Sequence, residues 1–248
     1  MNPVIETIIK HKSIRKFKET PLSKEQVELL VTAAQHTSTS SFMQSYSIIG
    51  VTDPIKKQQL AEVGNQPYIA EAGHLFVFVA DLNRNKQIAE KNEKDTTVLE
   101  STDRFLVGFT DASLAAQTTL LAAESLGLGG VFLGSLLNNA EKVIEILELP
   151  TQTFPVVGLA VGYPDQEPQL KPRLPMAHIY HENTYKVQNE PQEALADYDS
   201  VVTEYYDLRN ANTRIDSFTN QATKSMDLKQ PGRMKLLEMI HAQNLLKY

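Results

Sequence analysis

The chain has 248 residues, 42% of them hydrophobic and 22% charged, and 24 basic against 30 acidic side chains give a formal charge of −6. That composition and length suit a core-forming chain, which buries about 70–75% of its unfolded surface without help from disulfides or metals. Cysteine is absent, which excludes disulfides, thiolate zinc sites, cysteine-ligated iron–sulfur clusters and a cysteine nucleophile, so any redox chemistry must be borrowed from a cofactor. No apolar run comes near the ~20 residues that span a bilayer, and the start MNPVIETIIKHK has no signal-peptide core, so a cytoplasmic protein is expected. The acidic balance argues against general nucleic-acid affinity.

In chain order, Val4, Ile5, Ile8 and Ile9 share a helical face and lead into the basic stretch HKSIRKFK. Residues 1–18 hold five cations, Lys10, Lys12, Arg15, Lys16 and Lys18, against the single anion Glu6, a local balance of +4 that invites a negatively charged ligand. Ser23 and Gln26 form a capping box for a helix through Val27, Leu30, Val31 and Ala34. A polar loop follows, from Thr37 to Gln44. Tyr46–Val51 and Leu75–Ala80 are rich in β-branched and aromatic residues and read as buried strands. Between them, Asp53-Pro54 starts a helix with Pro54 at its first position. Residues 84–100 are charged and weakly periodic, which suits a surface helix or an excursion.

From Phe105 to Leu126 the sequence is proline-free and rich in Ala and Leu, predicting a long buried helix that Gly127 ends in the left-handed position. After the run GLGGVFLG, Asn139 caps a helix to Leu147. PVVGLAVGYP (155–164) then reads as another buried strand with a proline at each edge. Beyond Asp165 a proline-punctuated loop precedes polar helices near 193–209 and 233–247. The sum is a mixed α/β core with a C-terminal arm.

The familiar motifs fail. A dinucleotide fingerprint starting at Gly127 would need glycine where Phe132 stands, and the cluster follows a helix where a strand is required. Neither G-x-x-x-x-G-K-[ST] nor G-x-S-x-G occurs. His178 and His181 are too few for a metal, and Tyr185 stands where a zinc-protease helix would carry its second histidine, so no metal is expected. Two basic sites remain. His11-Lys12-Ser13-Ile14-Arg15 sets cations and a hydroxyl at a helix end, and Lys171-Pro172-Arg173 lies among prolines 168, 172 and 175 that restrict it. Both suit a phosphate or a delocalised anion, and for both the plain alternative is a solvated loop.

Taken together and in order, HKSIRKF (11–17), TSTSSFMQS (37–45), GNQ (64–66), AAESLGLGGVFLG (122–134), PVVGLAVGYP, LKPRLP (170–175) and HENTY (181–185) resemble the nitroreductase superfamily of flavin enzymes. The resemblance is specifically to its NADPH-dependent nitro/flavin reductase group, the flavin reductase P type. It implies an α+β, nitroreductase-like FMN-binding fold over residues 1–190, with a central, mostly antiparallel sheet flanked by helices. A helical extension over 191–248 would wrap the partner of a homodimer whose FMN sites lie at the subunit interface.

By the same resemblance, His11, Ser13, Lys171 and Arg173 hold the FMN phosphate and ribityl chain, with Lys12 where arginine is usual. Arg15 and Gln66 face the pyrimidine end. Thr39 (where serine is usual), Ser40 and Gln44 flank the ring or come from the other subunit. Gly130, Val131 and Gly134 present backbone near flavin N5, which can approach a flat ring only where side chains are small. Arg209 and Arg214, with Arg15, meet NADPH and favour its 2′-phosphate. The implied reaction is ping-pong hydride transfer from NADPH through FMN to nitroaromatics, quinones or free flavin, with no catalytic side chain beyond the electrostatic support of Arg15. No membrane or nucleic-acid partner is expected. A non-enzymatic FMN- or nucleotide-binding or sensing protein is the alternative, and such a binder would not need Arg209 and Arg214. A phosphoanion module without flavin is a third reading.

Overall fold

In the computed structural model four strands, β1 (Tyr46–Val51), β2 (His74–Asp81), β3 (Gly129–Leu133) and β4 (Thr153–Gly162), pair antiparallel in the order β1-β2-β4-β3. The structure describes residues 1–209 and 216–248, apart from the side chains of 207–209. These fall into two compact units, Met1–Pro168 with Gln230–Tyr248, and Gln169–Lys229. The sheet belongs to the first.

Every residue of β2 is buried, as is all of β4 except Val157, because helices cover both faces of the sheet. Side chains alternate along β2. Leu75, Val77 and Val79 pack with Leu60 and Ala61 of α3 (Pro54–Gly64), Ile69 of α4 (Tyr68–Glu71), and Val143 and Ile146 of α7 (Ala140–Leu147). Phe76, Phe78 and Ala80 face Leu30 and Ala34 of α2 (Lys24–Gln35) and the alanines of α6 (Thr102–Ser125). Pro155 lies inside β4, not at its edge, opposite Val79 at a register shift between Phe78 and Val79. A bulge tolerates the missing N–H there.

The caps do what their residue types dictate. Ser23 and Gln26 exchange both capping-box bonds, at 3.2 and 3.0 Å, and the Asp53 carboxylate accepts from the amides of Ile55 and Lys56 at 2.7 and 3.2 Å. Gly127 closes α6 at φ 75°. By length and composition α6 could cross a membrane, with 24 residues and a mean hydropathy of 1.2 over its most apolar stretch. This corrects the expectation that no run has that length. Here α6 packs on the sheet as a core helix, with Asp111 buried near its middle.

The glycine run, given no element from the sequence, is the edge strand β3. Residues 84–100 form the expected surface helix, α5 (Asn83–Lys91), which buries none of its residues, and a 3₁₀ turn at Thr97–Glu100. The C-terminal end departs from expectation. The last helix is two short ones, α11 (Pro231–Met234) and α12 (Leu236–Ala242), and Leu236, Met239, Ile240 and Leu245 of this segment pack with Leu82, Phe105 and Phe154. The first helix, α1 (Pro3–Ile9), buries none of its residues. In the second unit, α9 (Ala196–Arg209) meets α10 (Phe218–Ser225) through Tyr198 edge-on to Phe218, ring centroids 5.5 Å apart, after the short α8 (Pro191–Ala194).

Candidate functional site

β4 covers one edge of β3, and the basic segment takes the other. Ser13 bridges Gly130 in parallel, the Ile14 amide donates to the Gly130 carbonyl at 3.0 Å, and Phe17 bridges Pro164. Ile14 and Phe17 are the buried anchors, leaving His11, Lys12 and Ser13 half-buried and Arg15 exposed. The glycines have a packing reason. A Cβ on Gly129 would run into the Ile14 side chain, and one on Gly130 would lie 2.8 Å from Leu120 Cδ1 and 3.0 Å from the Ala160 carbonyl.

Anions from elsewhere in the chain offset part of the local +4. His11 Nδ1 lies 2.5 Å from Glu124 Oε1, Lys12 is ion-paired with Glu167, and Lys10 reaches Glu6 at 3.8 Å. Lys16 meets Asp165 at 2.9 Å, a hydrogen bond that raises the lysine pKa and lowers that of the carboxyl. Arg15 makes no hydrogen bond or ion pair among the described residues. A cleft of about 400 Å³ beside the segment is lined by Lys12, Ile14, Glu124, Gly129, Pro164 and Glu167, among others.

Gln66 follows α3 and its left-handed cap Asn65. Its Oε1 accepts from Ser135 Oγ at 2.7 Å, next to Gly134 at the end of β3, so its amide N–H groups have no partner among the described residues. The Gly134 carbonyl accepts from Arg233, which also reaches Asn138 Oδ1 at 2.9 Å. Thr39, Ser40 and Gln44 sit on the loop between α2 and β1. Thr37 ties that loop to Thr118 at 2.8 Å, Asp111 accepts from the Ser40 and Ser45 amides, and Arg84 donates to the Gln44 and Tyr46 carbonyls.

The fold thus gathers His11, Lys12, Ser13, Arg15, Gly130 and Val131 along one strand edge, with Gln66 and Gly134 at its end. Lys171 and Arg173 belong to the second unit, where the Tyr198 hydroxyl donates to the Pro172 carbonyl between them at 3.3 Å. Arg209 ends α9 with its side chain outside the description, and Arg214 lies outside the described residues. No cluster of metal ligands exists among the described residues; the His181 and Tyr185 rings meet tilted, centroids 4.8 Å apart. Sequence reasoning missed Glu124, Ser135, Asp111 and Arg84. Only Asp111 carries a local signal, as the one charged residue between Phe105 and Ala123 in an alanine-rich helix.

Residues 8–163 match the nitroreductase family and residues 171–248 its C-terminal domain. An NADPH-dependent oxidoreductase of Staphylococcus saprophyticus is 45% identical over 241 residues, 96% of this chain and 95% of that protein. The FMN reductase (NADPH) of Bacillus subtilis is 45% identical over 232 residues, 92% and 93% of the two chains. The NfrA1 structure of B. megaterium aligns with a TM-score of 0.94 at 45% identity, over 99% of this chain and 100% of that one. With both segments matched and such relatives spanning nearly its full length, the chain belongs to the nitroreductase family and is an oxidoreductase.

Proposed function

We propose that the protein is an FMN-dependent NADPH oxidoreductase that reduces nitroaromatics, quinones or free flavin in a ping-pong cycle, as a cytoplasmic homodimer. The observation that carries this reading is the docking of residues 11–17 on the edge of β3, which sets Ser13 beside Gly130 and leaves Arg15 unpaired among the described residues. These groups fit FMN: the Arg15 guanidinium, unpaired among the described residues, the unshared amide of Gln66 and the Ser13 hydroxyl match the carbonyls and ring nitrogens of a flat heterocycle. When bound, FMN supplies the two-electron chemistry that no side chain here possesses.

The chain's own residues bind and orient. Arg15 and Gln66 hold the pyrimidine end, and the Arg15 charge stands where negative charge develops. Gly130, Val131 and Gly134 offer backbone, and Thr39, Ser40 and Gln44 flank the ring in the same subunit or its partner. His11, Lys12, Ser13, Lys171 and Arg173 take the phosphate and ribityl chain; with His11 held at Nδ1 by Glu124, its Nε2 is the atom left for the phosphate. Arg209, Arg214 and Arg15 take NADPH. Residues 1–190 are read as the FMN-binding domain and 191–248 as the extension toward the partner, of which 230–248 also packs on its own core. Dimerisation is supported by apolar side chains exposed in the single chain, Val4, Ile5, Ile8 and Ile9 on α1 and Leu106, Phe109 and Leu114 on α6.

Anaerobic mixing with NADPH, and separately with NADH, tests this reading. The expected result is a yellow protein whose flavin band is bleached quickly by NADPH and slowly by NADH. A colourless protein that takes up no added FMN sinks the reading, and equal bleaching by both donors removes the role given to Arg209 and Arg214.

A further inference from the structure

Asp111, in the middle of α6, is 2% exposed, and each of its carboxylate oxygens accepts one backbone N–H. Oδ1 accepts from Ser40 and Oδ2 from Ser45, both at 3.1 Å. These two amides bound a short arch in which Ser41, Phe42 and Gln44 are left-handed, at φ 50°, 58° and 49°, although none is glycine. That region is sterically disfavoured for L-residues. The arch therefore keeps its shape only while its surroundings over-determine it. Arg84 braces the far end, donating through Nη2 to the Gln44 and Tyr46 carbonyls at 2.6 and 2.9 Å. Asn85 adds a bond to the Met43 carbonyl at 3.2 Å. Gly108, one turn before Asp111, lets α6 come this close, since a Cβ there would lie 3.0 Å from the Ser45 carbonyl.

Burying a carboxylate costs more than burying a neutral side chain. What the charge provides is an acceptor at both oxygens, whereas asparagine would turn a donor toward one of the two amides. We propose that Asp111 is a positioning residue for cofactor binding: by fixing the Ser40 and Ser45 amides it holds the 40–45 arch in the strained form that presents Thr39, Ser40 and Gln44 to the flavin. The inference rests on the reading of those three residues as flavin contacts. Arg84 is the exposed second half of the same clamp.

The test compares full-length wild type, Asp111→Asn and Arg84→Gln in FMN titration, in visible circular dichroism of the bound flavin, and in steady-state kinetics with NADPH at saturating FMN. Asp111→Asn is expected to bind FMN roughly tenfold more weakly, with an altered flavin dichroism and a kcat that falls while the NADPH KM changes less than about twofold. Adding Ser41→Gly, which removes the cost of one left-handed residue, is expected to recover part of the FMN affinity. General loss of core stability predicts no such rescue. Should Asp111→Asn not fold, Arg84→Gln carries the test, with FMN binding weakened about threefold or more. Wild-type FMN affinity and flavin dichroism in whichever variants fold overturn the proposal. Wild-type protein that binds no FMN overturns instead the reading beneath it, so the two failures are distinct.

Discussion

At residues 10–18 the cations meet different fates. Glu6, Glu167 and Asp165 occupy Lys10, Lys12 and Lys16, while Arg15 keeps its guanidinium free among the described residues. A cation preorganised beside developing negative charge loses its effect when truncated, so Arg15→Ala is expected to slow NADPH-driven flavin reduction by roughly a hundredfold and to loosen FMN. Stopped-flow reduction kinetics measure it, and unchanged rates would make Arg15 an ordinary surface residue. His74 bears on stability. Burial in β2, and then the nearby Lys57 charge, push its pKa down to about 4, and its Nε2 has no hydrogen-bond partner among the described residues. The unfolded chain takes up this proton near the ordinary pKa of about 6.5 and the folded chain only near 4. The lowered folded pKa means that the contribution is fully present above about 6.5 and lost as pH falls from there toward 4, by on the order of 3 kcal/mol. Urea denaturation at several pH values in this window should show a shallower slope for His74→Leu than for wild type; parallel slopes would contradict the assignment.

β3 shows how an element can depend on its neighbours. Its five residues include two glycines, poor strand formers by themselves. They become a strand because β4 supplies a ladder on one edge, and they must be small because Ile14 and Leu120 close on them. Gly130→Ala is expected to lower stability by about 1–3 kcal/mol through this clash and to weaken FMN binding by displacing Ser13. Gly127→Ala meets nothing within 4 Å and should cost only the left-handed backbone, about 1 kcal/mol, with FMN affinity intact. Thermal melts and FMN titrations of the pair separate the two reasons for glycine. Equal loss of FMN affinity in both would remove the role given to the β3 edge.

On the scale of the whole molecule, the proposed reading gives Lys171 and Arg173 a share of the FMN phosphate. The Lys171→Ala, Arg173→Ala double variant should keep its fold, since neither side chain makes a hydrogen bond or ion pair among the described residues. It is expected to lose FMN by roughly a hundredfold in affinity, because charge-assisted contacts to phosphate are the strong ones. Fluorescence titration with FMN checks this, and retained affinity would count the pair as a solvated loop. Light scattering bears on assembly: a monomeric mass with FMN still bound would contradict the dimer.

What the amino-acid order determined by itself was local. Ser23 with Gln26, Asp53 with Pro54, Asn139 and Gly127 fixed where helices begin and end, and the β-branched runs at 46–51 and 75–80 marked strands, because caps and periodicity act over a few residues. The residue strings of the family were equally legible, and with them the candidate site. Only the tertiary structure decided which cations of residues 10–18 are paired and which carboxylate accepts from the Ser40 and Ser45 amides. Glu124 pairs with His11 across 113 residues and Glu167 with Lys12 across 155. Such long-range pairings have no local pattern; they form when the sheet and α6 bring distant segments together.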